Sequence, residues 1–352
     1  MGNSSLSNAK KTKNDEFYTQ LADIQKEIDA HLDCNPDLFR GKTLLLPCDD
    51  PEWSNFTRFF AQNFELFGLK KLISTSYAPA AKREKYGLLY DMEVAAGAIV
   101  PDRGRLFVLD RDTNQNGRID FDDLRWNYLK GDGDFRSEEV RRLRDEADLV
   151  ITNPPFSLFR EFLAWLLEAN KNFLIIGNIN AISYKEVFPL IKNNLLWLGA
   201  SIHSGDREFG VPDSYPLEAA KWRIDEKDGK HYIRVKGVRW FTNLEHGRHH
   251  QPLQLMSLED NIKFSRHKEI RDKGYRRYDN YDAIDIPFSD AIPGDHPGIM
   301  GVPVSFLDKY CPEQFEIVGN ETELGLPKGR GYIDGKRLYG RILIRHKQGA
   351  QS

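Results

Sequence analysis

The chain has 352 residues, 40% of them hydrophobic, enough to bury a sizeable core and to hold about two domains. Its net charge of −3 argues against a small, strongly basic nucleic-acid module, while leaving room for a local basic face on a near-neutral average. Cys34, Cys48 and Cys311 fit neither a disulfide framework nor a zinc spacing, and no apolar run is long enough to span a bilayer, so a cytoplasmic protein with no membrane partner is expected.

In chain order, the polar residues 1–14 read as a disordered basic tail without the apolar core of a signal peptide. Apolar spacing predicts a helix over 16–30. Residues 43–47 read as a short buried strand closing on Cys48-Asp49-Asp50-Pro51, 54–67 as a helix and 71–75 as a second strand. A third strand, 105–109, leads into an Asp/Asn-rich stretch that ends near Gly133. Residues 148–152 form a strand broken by Asn153-Pro154-Pro155, followed by a helix over 158–168 and a strand over 173–176. This rhythm predicts an α/β fold: a doubly wound, mostly parallel sheet with helices on both faces and ligands at the strands' carboxyl ends. Further on, 222–224 and 231–235 flank Asp228-Gly229, a hairpin signal. From about Asn243 the periodicity gives way to charge, His, Tyr, Gly and Pro. The expected domains are therefore 15–243 and a smaller 244–352.

Asn153-Pro154-Pro155-Phe156 follows directly on an apolar strand, at the sheet edge where ligands bind. An adenine N6 amine is a poor nucleophile because its lone pair is delocalised into the ring. A site that methylates it must draw that nitrogen toward tetrahedral geometry. The Asn153 side-chain oxygen and the Pro154 carbonyl can each accept one N–H and stabilise the developing positive charge without reorganising. Pro154 and Pro155 stiffen the loop and donate nothing, and Phe156 offers a face for a base swung out of a duplex. A bare Asn-Pro is also a common turn, but the strand before it, the aromatic after it and the amphipathic helix beyond favour the chemical reading.

The stretch 148–156 resembles motif IV of the amino-methyltransferases. More of the chain resembles the EcoRI-type adenine-specific DNA modification methylases: Phe17-Tyr18-Thr19, Cys48-Asp49-Asp50-Pro51 with Ser54-Asn55-Phe56, 131–137, 239–243, and 301–303 with 306–310. The resemblance implies an S-adenosylmethionine-dependent methyltransferase fold. It also implies methyl transfer to the N6 amine of a flipped-out adenine in duplex DNA, within restriction-modification. A cognate restriction endonuclease would act on the same site without forming a stable complex. By the same resemblance Phe17, Tyr18 and Thr19 hold the methionine part of the cofactor, Asp49 and Asp50 form the cofactor loop, and Asp134 and Phe135 meet its adenine. Two features depart from the wider methyltransferase pattern: Ser54 and Phe56 stand where glycines are usual, and Ser74-Thr75-Ser76-Tyr77 replaces the acidic residue after the second strand. Alternatives on the same fold are an RNA adenine-N6 or a protein glutamine methyltransferase; a catalytically silent DNA-binding protein is a third.

Target recognition is expected C-terminally, where Lys263, Arg266, Lys268, Arg271, Lys273, Arg276 and Arg277 form the densest basic stretch, interleaved with Tyr275 and Tyr278. A solvated helix face is the plainer account of such a run. Finally, Asp112, Asn114, Asn116, Asp120 and Asp123 fall at calcium-loop spacing, with Gly117 at the turn. The last position is Asp rather than Glu, and a strand precedes the loop. A structural Ca²⁺ and a surface loop held by its own side chains both stay open.

Overall fold

The computed structural model describes residues 18–51, 54–78, 102–203, 206–211, 222–226, 229–325 and 330–347. The expected tail 1–14, Phe17 and Asp228 lie outside the described residues, as do Glu52 and Trp53 of the loop after the first buried strand. The chain divides into two compact units, 1–187 with 204–245 and 188–203 with 246–352.

The first unit contains β1 (Tyr18–Thr19), α1 (Leu21–Cys34), β2 (Thr43–Leu46), α2 (Asn55–Gln62), β3 (Lys71–Ser76), β4 (Arg105–Leu109), β5 (Arg125–Tyr128), α3 (Glu138–Glu146), β6 (Leu149–Thr152), α4 (Phe159–Glu168) and β7 (Asn172–Asn178). After these come β8 (Asp206–Val211), β9 (Trp222–Ile224), β10 (His231–Lys236) and β11 (Val238–Thr242). Its main sheet runs in the order β5-β4-β3-β2-β6-β7-β11. β2 lies parallel to β3 and β6, and β6 parallel to β7. β4, β5 and β11 join antiparallel. The expected mostly parallel sheet is therefore a mixed one, with a parallel centre and antiparallel flanks. For β5 the reason is local: β4 returns through the Asp/Asn loop directly into β5, and neighbours joined by such a loop pair antiparallel, since parallel pairing needs a crossover.

β2 and β6 are buried at every position, as their near-continuous apolar runs require of central strands. From this pair the chain winds outward to β3 on one side and to β7 on the other. That makes the β2/β6 boundary the topological switch point, the place where open α/β sheets bind their ligands.

The first helix begins at Leu21 rather than at residue 16 and runs on to Cys34. Tyr18 and Thr19 are drawn instead into antiparallel pairing with Gly210 and Phe209 of β8. β1, β8, β10 and β9 make a small separate sheet, in which β9 and β10 are the expected hairpin pair. Helix α2 stops at Gln62, short of the expected 67, because the chain turns at Asn63 and packs Phe67 back on Phe39, with ring centroids 5.2 Å apart.

In the second unit a four-stranded sheet runs β12 (Ala283–Asp285), β13 (Ile299–Pro303), β17 (Arg341–His346), β14 (Phe315–Asn320). A two-stranded hairpin, β15 (Tyr332–Ile333) with β16 (Lys336–Arg337), stands between β14 and β17 in sequence. None of these strands was expected, because they are short and separated by Gly, Pro and charged residues. No helix among the described residues is long and apolar enough to cross a membrane.

Candidate active site

The ends of β2, β3 and β6 converge with β1. At the end of β2, Cys48 takes a positive φ of 66°, a left-handed turn uncommon for a side chain with a Cβ. The turn lets the Asp49 N–H donate to the Thr75 carbonyl (2.8 Å), while the Ser74 hydroxyl donates to the Asp49 carbonyl. The Thr152 hydroxyl at the end of β6 donates to the Pro47 carbonyl. The two strand ends that flank the switch point are thereby tied together.

Asp49 is 2% exposed. Its carboxylate accepts the Ser54 hydroxyl, the Thr57 N–H (2.9 Å) and the Thr57 hydroxyl (2.7 Å). Ser54 is the N-cap of α2 and accepts from the Phe56 N–H, so Ser54 and Asp49 together satisfy two of the orphan donors of the first turn, those of Phe56 and Thr57. The usual glycines are unnecessary here. Ser54 caps, and Phe56 is buried in edge contact with Trp240, their centroids 6.0 Å apart. Burial pushes the Asp49 carboxyl up to about 7, against the hydrogen bonds from Thr57, which favour the anion; the neighbouring Asp50 adds to the rise. Asp50 is also buried, 3.8 Å from the Arg105 guanidinium, and its carbonyl accepts the Ser54 N–H (2.7 Å).

Asn153 follows β6 and directs its amide nitrogen to the Thr19 hydroxyl at 3.5 Å, the long limit of hydrogen-bond reach. Thr19 is buried, and its carbonyl accepts the Asn55 side-chain amide (2.7 Å). Thr19, the α2 loop and Asn153 are thus brought together. Pro154 is buried; Asn153, Pro155 and Phe156 are half-buried, with Phe156 opening a 3-10 turn. Tyr18 is half-buried, its Cβ 3.5 Å from where a Cβ on Gly210 would lie.

The loop 131–135 lies on the end of β3. Ala78 N–H donates to the Asp132 carbonyl (2.6 Å), and a Cβ on Gly133 would sit 2.3 Å from the Ser76 carbonyl oxygen. Asp134 is held by the Arg136 guanidinium (2.6 and 2.9 Å), which keeps its carboxyl below the usual range. Burial, with Asp132 and Asp134 nearby, raises the Tyr77 hydroxyl. Phe135 is 3% exposed and packs edge-on against Phe162 and Trp165 of α4, centroids 5.0 and 5.7 Å away. Its ring is a core contact that fixes the loop, and little of its surface is left for a cofactor adenine.

Gly133 also has a φ of +83°, so Gly133→Ala meets both a strained backbone and a carbonyl oxygen. Gly117 has nearly the same φ (+82°) but nothing within 4 Å of its would-be Cβ. Denaturant unfolding should show Gly133→Ala losing at least about 2 kcal/mol and Gly117→Ala about 1 kcal/mol. Equal losses would contradict the close approach.

A family model described as "Adenine-specific methyltransferase EcoRI" matches residues 5–347. The chain belongs to this family of adenine-specific methyltransferases. The EcoRI-type relatives include Type II methyltransferase M.EcoRI of Escherichia coli, 39% identical over 98% of this chain and 97% of that protein. M.MpnI of Mycoplasma pneumoniae is 33% identical over 97% of each chain, and M.MgeORF184P of Mycoplasma genitalium 32% over 97% and 98%. No solved structure matches.

Methyltransferases of this EcoRI-type family call for a methyl donor, in general S-adenosylmethionine. The residues present fit such a group. Thr75 Oγ1 and Ser76 Oγ are buried at the end of β3 with no hydrogen-bond partner among the described residues, and they lie on the strand beside the acidic loop of β2. Buried hydroxyls of this kind suit a polar ligand. Sequence reasoning gave no role to Asn55, Thr57 or Thr75, which the structure brings to the ends of β2 and β3 and to Thr19. The N-cap pattern Ser54-Asn55-Phe56-Thr57 was a usable signal for Asn55 and Thr57.

The basic stretch lies on two short helices, α5 (Leu258–Phe264) and α6 (Lys268–Lys273), and the turn after them. Lys263 pairs with Glu259, Arg266 with Asp290 (2.7 Å), Arg276 with Glu269 and Asp334 (3.6 and 3.5 Å), and Arg277 with Asp282 (3.0 Å). Arg271 donates to the Ser265 carbonyl; Lys268 and Lys273 are exposed. Arg276 is half-buried and the other six are exposed, and four of the seven are paired with neighbouring acids.

The Asp/Asn loop is closed by its own side chains. Asp112 accepts from Gln115 and Gly117, Asn114 from Asn116, and Asn116 from Arg118. Asp120 accepts from Asp122, and Asp123 from Thr113, Asn114 and Asp120. These hydrogen bonds suffice to give the loop its shape.

Proposed function

We propose that the chain transfers a methyl group from S-adenosylmethionine to the N6 amine of an adenine turned out of duplex DNA, as the modification half of a restriction-modification pair. The observation that carries the site assignment is the pairing at the switch point: the acidic Asp49-Asp50 loop and the acceptor-rich Asn153-Pro154-Pro155-Phe156 loop leave adjacent strands, and Asn153 is oriented by Thr19. That the family relatives are Type II methyltransferases supports DNA as the acceptor.

S-adenosylmethionine, when bound, supplies an electrophilic methyl group on a sulfonium. Thr19, with Tyr18 and Phe17 from the same segment, would hold its methionine end; Asp49 and Asp50 would line the loop over it. Asp134 would face its nucleoside end, with Phe135 behind as the packed support of that loop. Asn153 Oδ1 accepts one N–H of the adenine amine and the Pro154 carbonyl the other. Both C–N geometry and charge development at N6 are then favoured by acceptors already in place. Stacking of the base on Phe156 replaces the stacking lost from the duplex.

The region 244–352 would read the target, with Lys268 and Lys273 and the ion-paired arginines of 263–277 exchanging their acidic partners for phosphates. The test is transfer of labelled methyl to duplex DNA, GAATTC-containing duplexes first, with product nucleosides separated. Label in N6-methyladenine of duplex DNA is the expected result. Label only in RNA or in protein would keep the fold and overturn the substrate.

A further inference from the structure

We propose that the hairpin β15–β16 and the residues that follow it grip the DNA backbone, through Lys336, Arg337 and Tyr339. The inference rests on the reading that duplex DNA is the substrate, and it assigns the grip to residues outside the basic stretch 263–277.

The hairpin is held rigidly at its turn and first strand, and its second strand is exposed. Asp334 and Gly335 both have positive φ (51° and 71°), the conformation of a tight two-residue hairpin turn. Asp279 accepts both turn N–H groups (3.2 and 2.8 Å), and Asn280 bonds the Tyr332 N–H (3.0 Å) and the Arg330 carbonyl (2.9 Å). Ile333 is buried against Tyr278, Ala283 and Leu343. Lys336 and Arg337, paired across the hairpin with Ile333 and Tyr332, are both exposed, and Tyr339 is 88% exposed, the most exposed of the large apolar side chains described.

Arg276 and Arg277 are each ion-paired, whereas no ion pair involves Lys336 or Arg337 among the described residues. Arg337 and Tyr339 wall a cleft of about 430 Å³ together with Arg330, Leu338 and Gly340. Cations without acidic partners, beside an exposed aromatic on a preorganised ribbon, complement a polyanion and lose little conformational entropy on contact. A two-stranded ribbon is also of a size that a DNA groove admits. Lys336 and Arg337 would each neutralise a phosphate, and the Tyr339 hydroxyl would donate to the backbone. Through the Arg276–Asp334 pair the hairpin turn adjoins the stretch 263–277.

The test compares the wild type with a Lys336→Ala/Arg337→Ala double variant, Tyr339→Ala and Arg337→Lys. Duplex affinity is measured by fluorescence anisotropy between about 50 and about 200 mM salt, with S-adenosylmethionine binding and melting temperature alongside. The double variant should lower the slope of log affinity against log salt by about two and weaken binding about tenfold or more, with cofactor affinity and melting temperature unchanged. Arg337→Lys should keep the slope, and Tyr339→Ala should weaken binding without changing it. A double variant with wild-type affinity and slope, or an Arg337→Lys that loses slope as an alanine would, overturns the grip while leaving the DNA reading intact. A wild type that neither methylates duplex DNA nor binds it with salt dependence removes that reading, and the hairpin's role with it.

Discussion

Asn153→Ala should lower the rate of methyl transfer to duplex DNA by about a thousandfold while leaving S-adenosylmethionine affinity within about threefold. The size follows from what the side chain would supply in the proposed reaction. The amine becomes nucleophilic only as its nitrogen rehybridises, and the Asn153 oxygen would be one of two acceptors that favour that change. Its position depends on the buried strand β6 beneath it, the Thr152 hydroxyl bonded to the Pro47 carbonyl, and Thr19 at 3.5 Å from the amide nitrogen. An acceptor held this way is worth more than a solvent-exposed one, because water cannot replace it in the same geometry. Alanine removes the acceptor and leaves β6 and the cofactor loop untouched, so binding of the donor survives. Single-turnover transfer of labelled methyl, with calorimetric titration of the cofactor, separates the two quantities. A rate loss below about tenfold would remove Asn153 from the chemistry. Asn153→Asp, which keeps the acceptor and its length, should fall between wild type and alanine.

The centre of the sheet was legible because its strands carry their own signal. Residues 43–46 and 149–152 are apolar runs with turn residues at their ends, and a strand with both faces covered needs nothing more. Asn153-Pro154-Pro155-Phe156 could be placed at a carboxyl edge for the same reason. What could not be read depends on distant partners. Tyr18 and Thr19 look like the start of a helix until β8 supplies an antiparallel neighbour nearly two hundred residues later. Phe135 reads the same in a sequence whether it lines a pocket or a core, and its packing on α4's Phe162 and Trp165 is visible only in the fold. The basic stretch 263–277 reads as cationic partly because three of its acidic partners, Asp282, Asp290 and Asp334, lie outside it, while Glu259 and Glu269 are near in sequence. The missing glycines after β2 left the cofactor loop uncertain, and Asp49 with Ser54 and Thr57 explains how the loop is shaped without them.

That network makes Asp49 the source of the second large effect. Asp49→Ala should destabilise the protein by about 3 to 5 kcal/mol, since it strips the buried acceptor from the Ser54 hydroxyl and from both donors of Thr57 at the start of α2. Asp49→Asn keeps the shape and should cost far less, and it isolates the charge. The native carboxyl is raised to about 7, whereas in the unfolded chain it titrates near about 4. Between those values the folded state holds a proton that the unfolded state has lost. The contribution is therefore complete below pH about 4 and is lost as pH rises toward about 7. Wild-type melting temperature should decline across that window relative to Asp49→Asn, whose profile should be flatter there. Parallel profiles would mean that the carboxylate is stabilised as an anion by α2's first turn and titrates normally. The same carboxyl bears on the cofactor. A sulfonium bound beside the β2 loop would favour the ionised form, so S-adenosylmethionine should bind more tightly as pH rises from about 6 to about 8, and the uncharged thioether product much less so. Equal pH dependence for the two ligands would place Asp49 outside the sulfonium's field and leave it the purely architectural role of capping α2.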